Sequence, residues 1–254
     1  MPFLTVGGEK VHYVHRRPVA DVRPPVILIH GAGGSHQHWL YQVRDLPQAA
    51  SYAPDLPGHG RSPGPGRDSI GAYGDWLLAF MDEAGLGQAV LVGHSMGGAI
   101  ALDLALRWPD RVAGLGLVAT GARLRVAPAI LEGLRQDPAE TVGLITDWAF
   151  GPEAPAEMAR LGRRQMNQVD PGVLYGDFAA CDAFDVTERL GEIEAPALVL
   201  CGTQDRLTPA KYATFLRDRI AGARLHLVEG AGHMLMVERP GAVTRSLVPF
   251  LEAL

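Results

Sequence analysis

The chain carries only two cysteines, Cys181 and Cys201, among 254 residues. They lie in different segments, which excludes a disulfide framework and fits a reducing compartment. Cys201 ends the apolar run ALVLC and reads as a small buried hydrophobe. Long apolar runs are also missing. None approaches the ~20 residues of a membrane-spanning helix, and the opening MPFLTVGGEK lacks the basic segment and apolar stretch of a secretory leader. A soluble, cytoplasmic protein with no membrane partner is expected. There is no basic run either, and the net charge is −5, so the phosphate-tracking surface that nucleic-acid binders need is not indicated. Internal repeats and low-complexity tracts are absent. A hydrophobic share of 47% with 20% charged residues leaves no case for disorder or a fibre.

What is present is a pattern of buried strands and helices. Residues 3–6 and 10–14 read as two short strands joined by Gly7-Gly8, a pair suited to a tight hairpin turn. After Pro24-Pro25 comes VILIH, a β-branched run without polar alternation, as expected of a strand buried on both faces of a parallel sheet. AVLVG, VAGLGLVAT and ALVLCG repeat that pattern. Helical spacings fill 35–49, 69–84, 96–107 and 209–220. Such alternation predicts a mostly parallel central sheet with helices on both faces, an α/β fold. Between about residues 122 and 194 the buried-strand runs stop and helical spacings broken by Pro and Gly take over. The expected organisation is one core domain, 1–121 and 195–254, with a helical insertion at 122–194 able to serve as a lid over the carboxyl ends of the strands.

Chemistry enters at VLVGHSMGGAI. Ser95 stands where a buried strand turns at once into a helix, within Gly93-His94-Ser95-Met96-Gly97, a G-x-S-x-G pattern whose glycines permit close backbone approach at a strained turn. A serine hydroxyl is a weak nucleophile until a base takes its proton, and that base needs a third group to fix its tautomer. Only His226 and His233 follow Ser95. His226 falls within the alternating run RLHLVE and reads as solvated, whereas His233 lies in a glycine-flanked loop, EGAGHMLMVERP, able to carry an imidazole over the sheet edge. The acid that fits is Asp205, just past the strand ALVLCG and before a helix opened by proline. A turn or helix-capping aspartate is the plain alternative for Asp205.

The order Ser95, Asp205, His233, together with HGAGGSHQHW, DLPGHGRS, GHSMGG, CGTQDRLTP and AGHMLMVERP in sequence, resembles the α/β-hydrolase superfamily along essentially the whole chain. The resemblance implies an α/β-hydrolase fold with 122–194 as its helical cap. It also implies an oxyanion hole made of the backbone N–H groups of Ala32 and Met96. Gly31, Trp39, Trp148, Phe150 and Phe184 are the expected pocket residues. His36 and His38 lack a third ligand or an HExxH pattern, so no metal is expected. His59 and His94 read as braces for loops or as part of the mouth. Arg160, Arg163 and Arg164 share one face of a cap helix.

The expected activity is hydrolysis of carboxylic esters of small acyl groups through an acyl-enzyme, without cofactor, on a small-molecule ester. Serine at the corner sets aside the branch that carries aspartate there. Still open are hydrolysis of methyl esters on carrier-bound acyl chains, with an acidic carrier docking at the cap, and carbon-carbon bond hydrolysis or cofactor-free perhydrolysis on the same triad. A ligand receptor with an idle triad is the non-enzyme alternative. Oligomeric state is not legible.

Overall fold

The computed structural model describes residues 3–18, 23–46 and 49–254. Among these residues eight strands form one sheet in the order β1-β2-β4-β3-β5-β6-β7-β8. β1 (Phe3–Val6) and β2 (Glu9–Arg16) make an antiparallel hairpin. Gly7 and Gly8 close it at φ 56° and 85°, left-handed conformations that residues with a Cβ rarely adopt. β2 also pairs antiparallel with β4 (Ser51–Pro54). From there the sheet is parallel through β3 (Val26–Ile29), β5 (Ala89–His94), β6 (Val112–Val118), β7 (Ala197–Gly202) and β8 (Arg224–Val228). β4 has no signature in the sequence, because SYAP is short and bounded by serine and proline. Its four residues are nonetheless buried between β2 and β3, so pairing supplies what propensity lacks.

A 3₁₀ turn over His36–Trp39 leads into α1 (Leu40–Asp45), with the Ser35 hydroxyl accepting the Gln37 N–H. The helix expected over 35–49 therefore ends at Asp45, and residues 47 and 48 lie outside the described residues. α2 (Ile70–Glu83) is capped by Ser69, and α3 (Met96–Arg107) starts directly after Ser95. Four helices separate β6 from β7: α4 (Pro128–Gln136), α5 (Pro138–Ala149), α6 (Ala156–Met166) and α7 (Pro171–Ala183). Proline stands in the first turn of α4, α5 and α7, where its missing N–H costs no bond, and Asp137 and Asp170 cap the last two. α8 (Ala210–Arg219), α9 (Leu235–Glu238) and α10 (Pro240–Glu252) complete the chain.

The sheet has an apolar layer on each face. On one, Leu77 and Phe80 of α2, Ile100 of α3 and Leu216 of α8 cover Ile27, Leu91 and Leu115. On the other, Val43, Leu235, Leu247 and Phe250 cover Leu28, Val90 and Leu198. The four helices between β6 and β7 have a small core of their own, Ile130, Leu134, Val142, Ile145 and Leu174. No helix among the described residues is long and apolar enough to cross a membrane.

Candidate active site

The chain turns from β5 into α3 at Ser95, which has φ 52° and ψ −115°. A non-glycine residue in that region is strained by roughly 1–3 kcal/mol and persists only where its surroundings over-determine it. Here they do. A Cβ on Gly93 would lie 2.1 Å from the Gly97 carbonyl oxygen, and one on Gly97 would lie 2.4 Å from the Ile29 oxygen, so only glycines let the helix start so close to β5 and β3. The Ser95 N–H donates to the Val118 carbonyl at 2.9 Å, and the Thr120 hydroxyl donates to the Ser95 carbonyl at 2.7 Å. Gly31 sits beside the nucleophile, its missing Cβ position 3.1 Å from the Ser95 Cβ.

Asp205 and His233 meet over the ends of β7 and β8. The His233 Nδ1 is 3.1 and 3.0 Å from the two Asp205 carboxylate oxygens. A carboxylate can only accept, so Nδ1 bears the proton and Nε2 is left as the basic nitrogen. Asp205 is held in turn by the Leu207 and Thr208 N–H groups, each at 2.9 Å, and by the Thr208 hydroxyl at 2.8 Å. The two sequence readings of Asp205, histidine partner and turn cap, are thus one arrangement. Burial disfavours its charge, but His233 and these donors outweigh that and hold its carboxyl below the usual carboxylate range. The His233 N–H donates to the Ala149 carbonyl at 2.8 Å, and the His94 Nε2 donates to the His233 carbonyl at 3.1 Å. Burial keeps His94 neutral, its pKa pushed well below the ordinary imidazole value. Its position, between Gly93 and Ser95, lets one residue of the corner steady the loop that carries His233.

Ser95 and His233 both line one cavity of about 280 Å³ under α4 to α7. Ala32 lines it as well. Met96 is the first residue of α3, where an N–H has no intrahelical acceptor. Among the described residues neither the Ala32 nor the Met96 amide donates to a backbone carbonyl outside the regular ladders. Trp148 and Phe150 are pocket walls. Trp39 and Phe184 are not. Trp39 is fully buried in the layer over α9 and α10, and Phe184 packs in the opposite layer, since each sits at a position that turns inward to the sheet rather than toward the cavity. Leu124, Ile130, Ile145, Met166 and Phe178 take the apolar wall instead. Nothing distinguished them in the sequence from ordinary helical core. His226 is exposed on β8 and bonds the Ser246 hydroxyl.

Of the other sequence candidates, His36 is occupied outside the cavity and His38 lines it. His36 meets His12 and Asp55, with ligand-type atoms within 4.8 Å of one another. The Asp55 oxygens accept the two imidazole Nδ1 protons at 2.8 and 2.9 Å and the His36 and Arg61 amides at 2.7 and 3.0 Å, so this carboxylate is satisfied by hydrogen bonds, and His12 and Asp55 are neighbours of His36 that sequence spacing did not offer. The cluster ties β2, the loop after β3 and the loop after β4. His38, in contrast, lines the cavity. Arg160 and Arg164 of α6 both pair with Glu157, which lowers the charge that their shared face presents.

Residues 24–240 match the family model of the α/β hydrolase fold. The chain belongs to the α/β hydrolase family. It is 30% identical over 252 residues to a pimeloyl-[acyl-carrier protein] methyl ester esterase of Neisseria meningitidis, covering 93% of this chain and 97% of that protein. Among solved structures it resembles a thermophilic esterase at 36% identity and TM-score 0.87, covering 99% of this chain and 97% of that one. An enol-lactonase of Burkholderia xenovorans LB400 matches at 27% identity and TM-score 0.91, with 99% and 100% covered. Within its family the chain is an ester-hydrolysing enzyme.

Proposed function

We propose that the chain cleaves carboxylic esters of small acyl groups with Ser95 as nucleophile, His233 as base and Asp205 as the group that orients it. The observation that carries this reading is the Asp205–His233 pair, bonded through Nδ1 and opening on the cavity that also receives Ser95. Ser95 attacks the ester carbonyl carbon as its proton passes to the His233 Nε2, and the tetrahedral oxyanion accepts from the Ala32 and Met96 amides. Collapse breaks the bond to the alcohol, which leaves with the proton from His233. Water then repeats the sequence on the acyl-enzyme and frees the acid and Ser95. The segment 122–194 is the cap in this reading, since Trp148, Phe150 and Met166 come from it into the cavity. A cytoplasmic setting belongs to the same proposal and is supported by two buried free cysteines.

A second reading is favoured by two arginines. Among the described residues Arg125 and Arg206 are the only Lys, Arg, Asp or Glu side chains lining the cavity, in a protein of net charge −5. Arg206 stands 5.8 Å from the centre of the Trp148 ring. Asp185, which feels the charge of Arg125, is paired with Arg123 at 3.3 Å. Two cations at an apolar pocket suit an ester whose far end is anionic, including an acyl chain on an acidic carrier. Hydrolysis of p-nitrophenyl acetate and butyrate, with Ser95→Ala as the control, tests the first reading. Labelling by a fluorophosphonate, with the adduct located by mass spectrometry, should place it on Ser95. Turnover that survives Ser95→Ala sinks the assignment.

A further inference from the structure

Asp177 is buried with 0% exposure in the middle of α7, and it reaches out of the helical segment into the core. Its Oδ2 accepts the Gly33 N–H at 2.9 Å and bonds the His59 Nε2 at 2.7 Å, and its Oδ1 accepts the Tyr73 hydroxyl at 2.6 Å. The three partners come from three core segments: the loop after β3, the loop after β4, and α2. The His59 Nδ1 faces the Pro57 carbonyl at 2.9 Å. Both imidazole nitrogens of His59 therefore face groups that can only accept, which requires both to be protonated and makes the contact with Asp177 an ion pair. The seat below α7 is built to let the carboxylate in. A Cβ on Gly33 would lie 2.7 Å from Leu174, and Cβ atoms on Gly58 and Gly66 would each lie 3.0 Å from Val173, so the glycines at these places admit the helix.

Resting on the hydrolase reading above, we infer that Asp177 is a positioning residue for the oxyanion hole, holding from the cap the loop that carries the Ala32 amide. The peptide plane between Ala32 and Gly33 carries the N–H that Asp177 accepts. Only the φ and ψ of Ala32 separate it from the plane that carries the Ala32 N–H, so fixing one plane narrows the other. Gly33 stands at φ 62° in a turn closed by the Gly34 N–H donating to the Gly31 carbonyl at 3.0 Å, and Asp177 adds an anchor from outside the turn on the plane next to the Ala32 amide. The arrangement gives the cap a part in catalysis without contact to substrate: when α7 is seated the amide is aimed, and when it lifts the loop is released. Misaiming a donor of this kind weakens transition-state stabilisation and leaves ground-state binding nearly alone.

The test compares Asp177→Ala, Asp177→Asn and Tyr73→Phe. Asp177→Asn keeps the shape and removes the charge, and Tyr73→Phe removes one of the three bonds on the side away from the loop. Asp177→Ala should lower kcat by about 10- to 10²-fold with KM within about twofold, and weaken a trifluoromethyl ketone inhibitor, whose adduct carries the oxyanion, by the same factor. Asp177→Asn should recover part of kcat. Tyr73→Phe should lower the melting temperature but leave kcat and inhibitor affinity near wild type. Equal losses of kcat in Tyr73→Phe and Asp177→Asn, in proportion to melting temperature, would reduce Asp177 to a structural strut. If Asp177→Ala does not fold, Asp177→Asn alone decides by the same kcat and inhibitor readouts. Amide exchange at residues 31–34 provides a readout that needs no turnover: faster exchange there in Asp177→Asn than in Tyr73→Phe supports the anchor, and unchanged exchange overturns it. Absent ester turnover in the wild type would instead strike the hydrolase reading.

Discussion

α3 and α6 are nearly the same length and are built in opposite ways. Nine of the twelve residues of α3 are buried, with glycine and alanine in its first turn pressed against β5 and β3. None of the eleven residues of α6 is buried, and its contact with the cavity runs through Gly162, Gln165 and Met166. In the reading proposed above, the first helix belongs to the part that fixes the reacting atoms and the second to the part that meets the substrate. A close-packed element transmits sub-ångström error directly, whereas an element with one face in water can shift and repack. The comparison teaches where rigidity is placed: around Ser95, the Asp205–His233 pair and the buried Asp177 seat of α7, with the water-facing α6 left adaptable.

The largest effects should come from the rigid side. Ser95→Ala should lower kcat by about 10⁴-fold or more, measured on p-nitrophenyl butyrate, with the fold unchanged. Asp205→Asn should cost up to ~10⁴-fold, because an amide offers His233 a donor as well as an acceptor and no longer fixes the tautomer. Since Asp205 also accepts the Leu207 and Thr208 amides, this variant should melt earlier too, which a pure orienting role would not predict. Gly97→Ala should fail to give a folded protein or should lose several kcal/mol, because the added carbon meets backbone oxygens of Ile29 and His30 at 2.4 and 2.7 Å and not a flexible side chain. A stable, active Gly97→Ala protein would break the claim that close packing sets the corner.

That contrast also explains what could be read from the sequence. β3, β5, β6 and β7 were legible because strands buried on both faces are continuous apolar runs, and the corner was legible because a strand followed at once by G-x-S-x-G leaves few geometries. Ser95, Asp205 and His233 could be named together because each stands just past a strand end of one sheet. β4 was not legible, since its burial comes from neighbours and not from its own residues. Trp39 and Phe184 were misread for the pocket because an aromatic at helical spacing looks the same whether it turns toward a sheet or a cavity. Asp177 carried no signal at all: one aspartate in a helical stretch, its three partners 104 to 144 positions away in the chain.

On the adaptable side the effects should be smaller and selective. Trp148→Ala enlarges the wall of the cavity, and it should shift preference toward longer acyl chains by about tenfold while the rate on acetate changes little. Uniform loss on all esters would mean that this wall is as rigid as the corner. Arg125→Gln with Arg206→Gln should reduce kcat/KM for a monomethyl dicarboxylate several-fold more than for methyl butyrate. That gap should shrink at high salt, because exposed charges are screened over ~8–10 Å.

The smallest effect is on the pH dependence of stability, and here the two sides lose support at opposite edges. Asp205 has its carboxyl held below the usual range, so the stability it contributes is full above the unfolded value of ~3.9 and fades as pH falls through the lower folded value. His59 has the reverse sign. Burial works against its charge, but Asp177, its hydrogen bond, the Pro57 carbonyl and the more distant Asp55 raise its pKa above the ordinary imidazole value, while the neighbouring His30 ring is kept neutral by its own burial. Its contribution is full below the unfolded value of ~6.5 and is lost as pH rises through the higher folded one. Proteolysis of the segment between β6 and β7 should therefore speed up toward alkaline pH, and His59→Gln should remove that dependence. Cleavage in this segment that speeds up toward acid, or that ignores the His59 substitution, would show that the helices are held to the core by something other than the ion pair beneath α7.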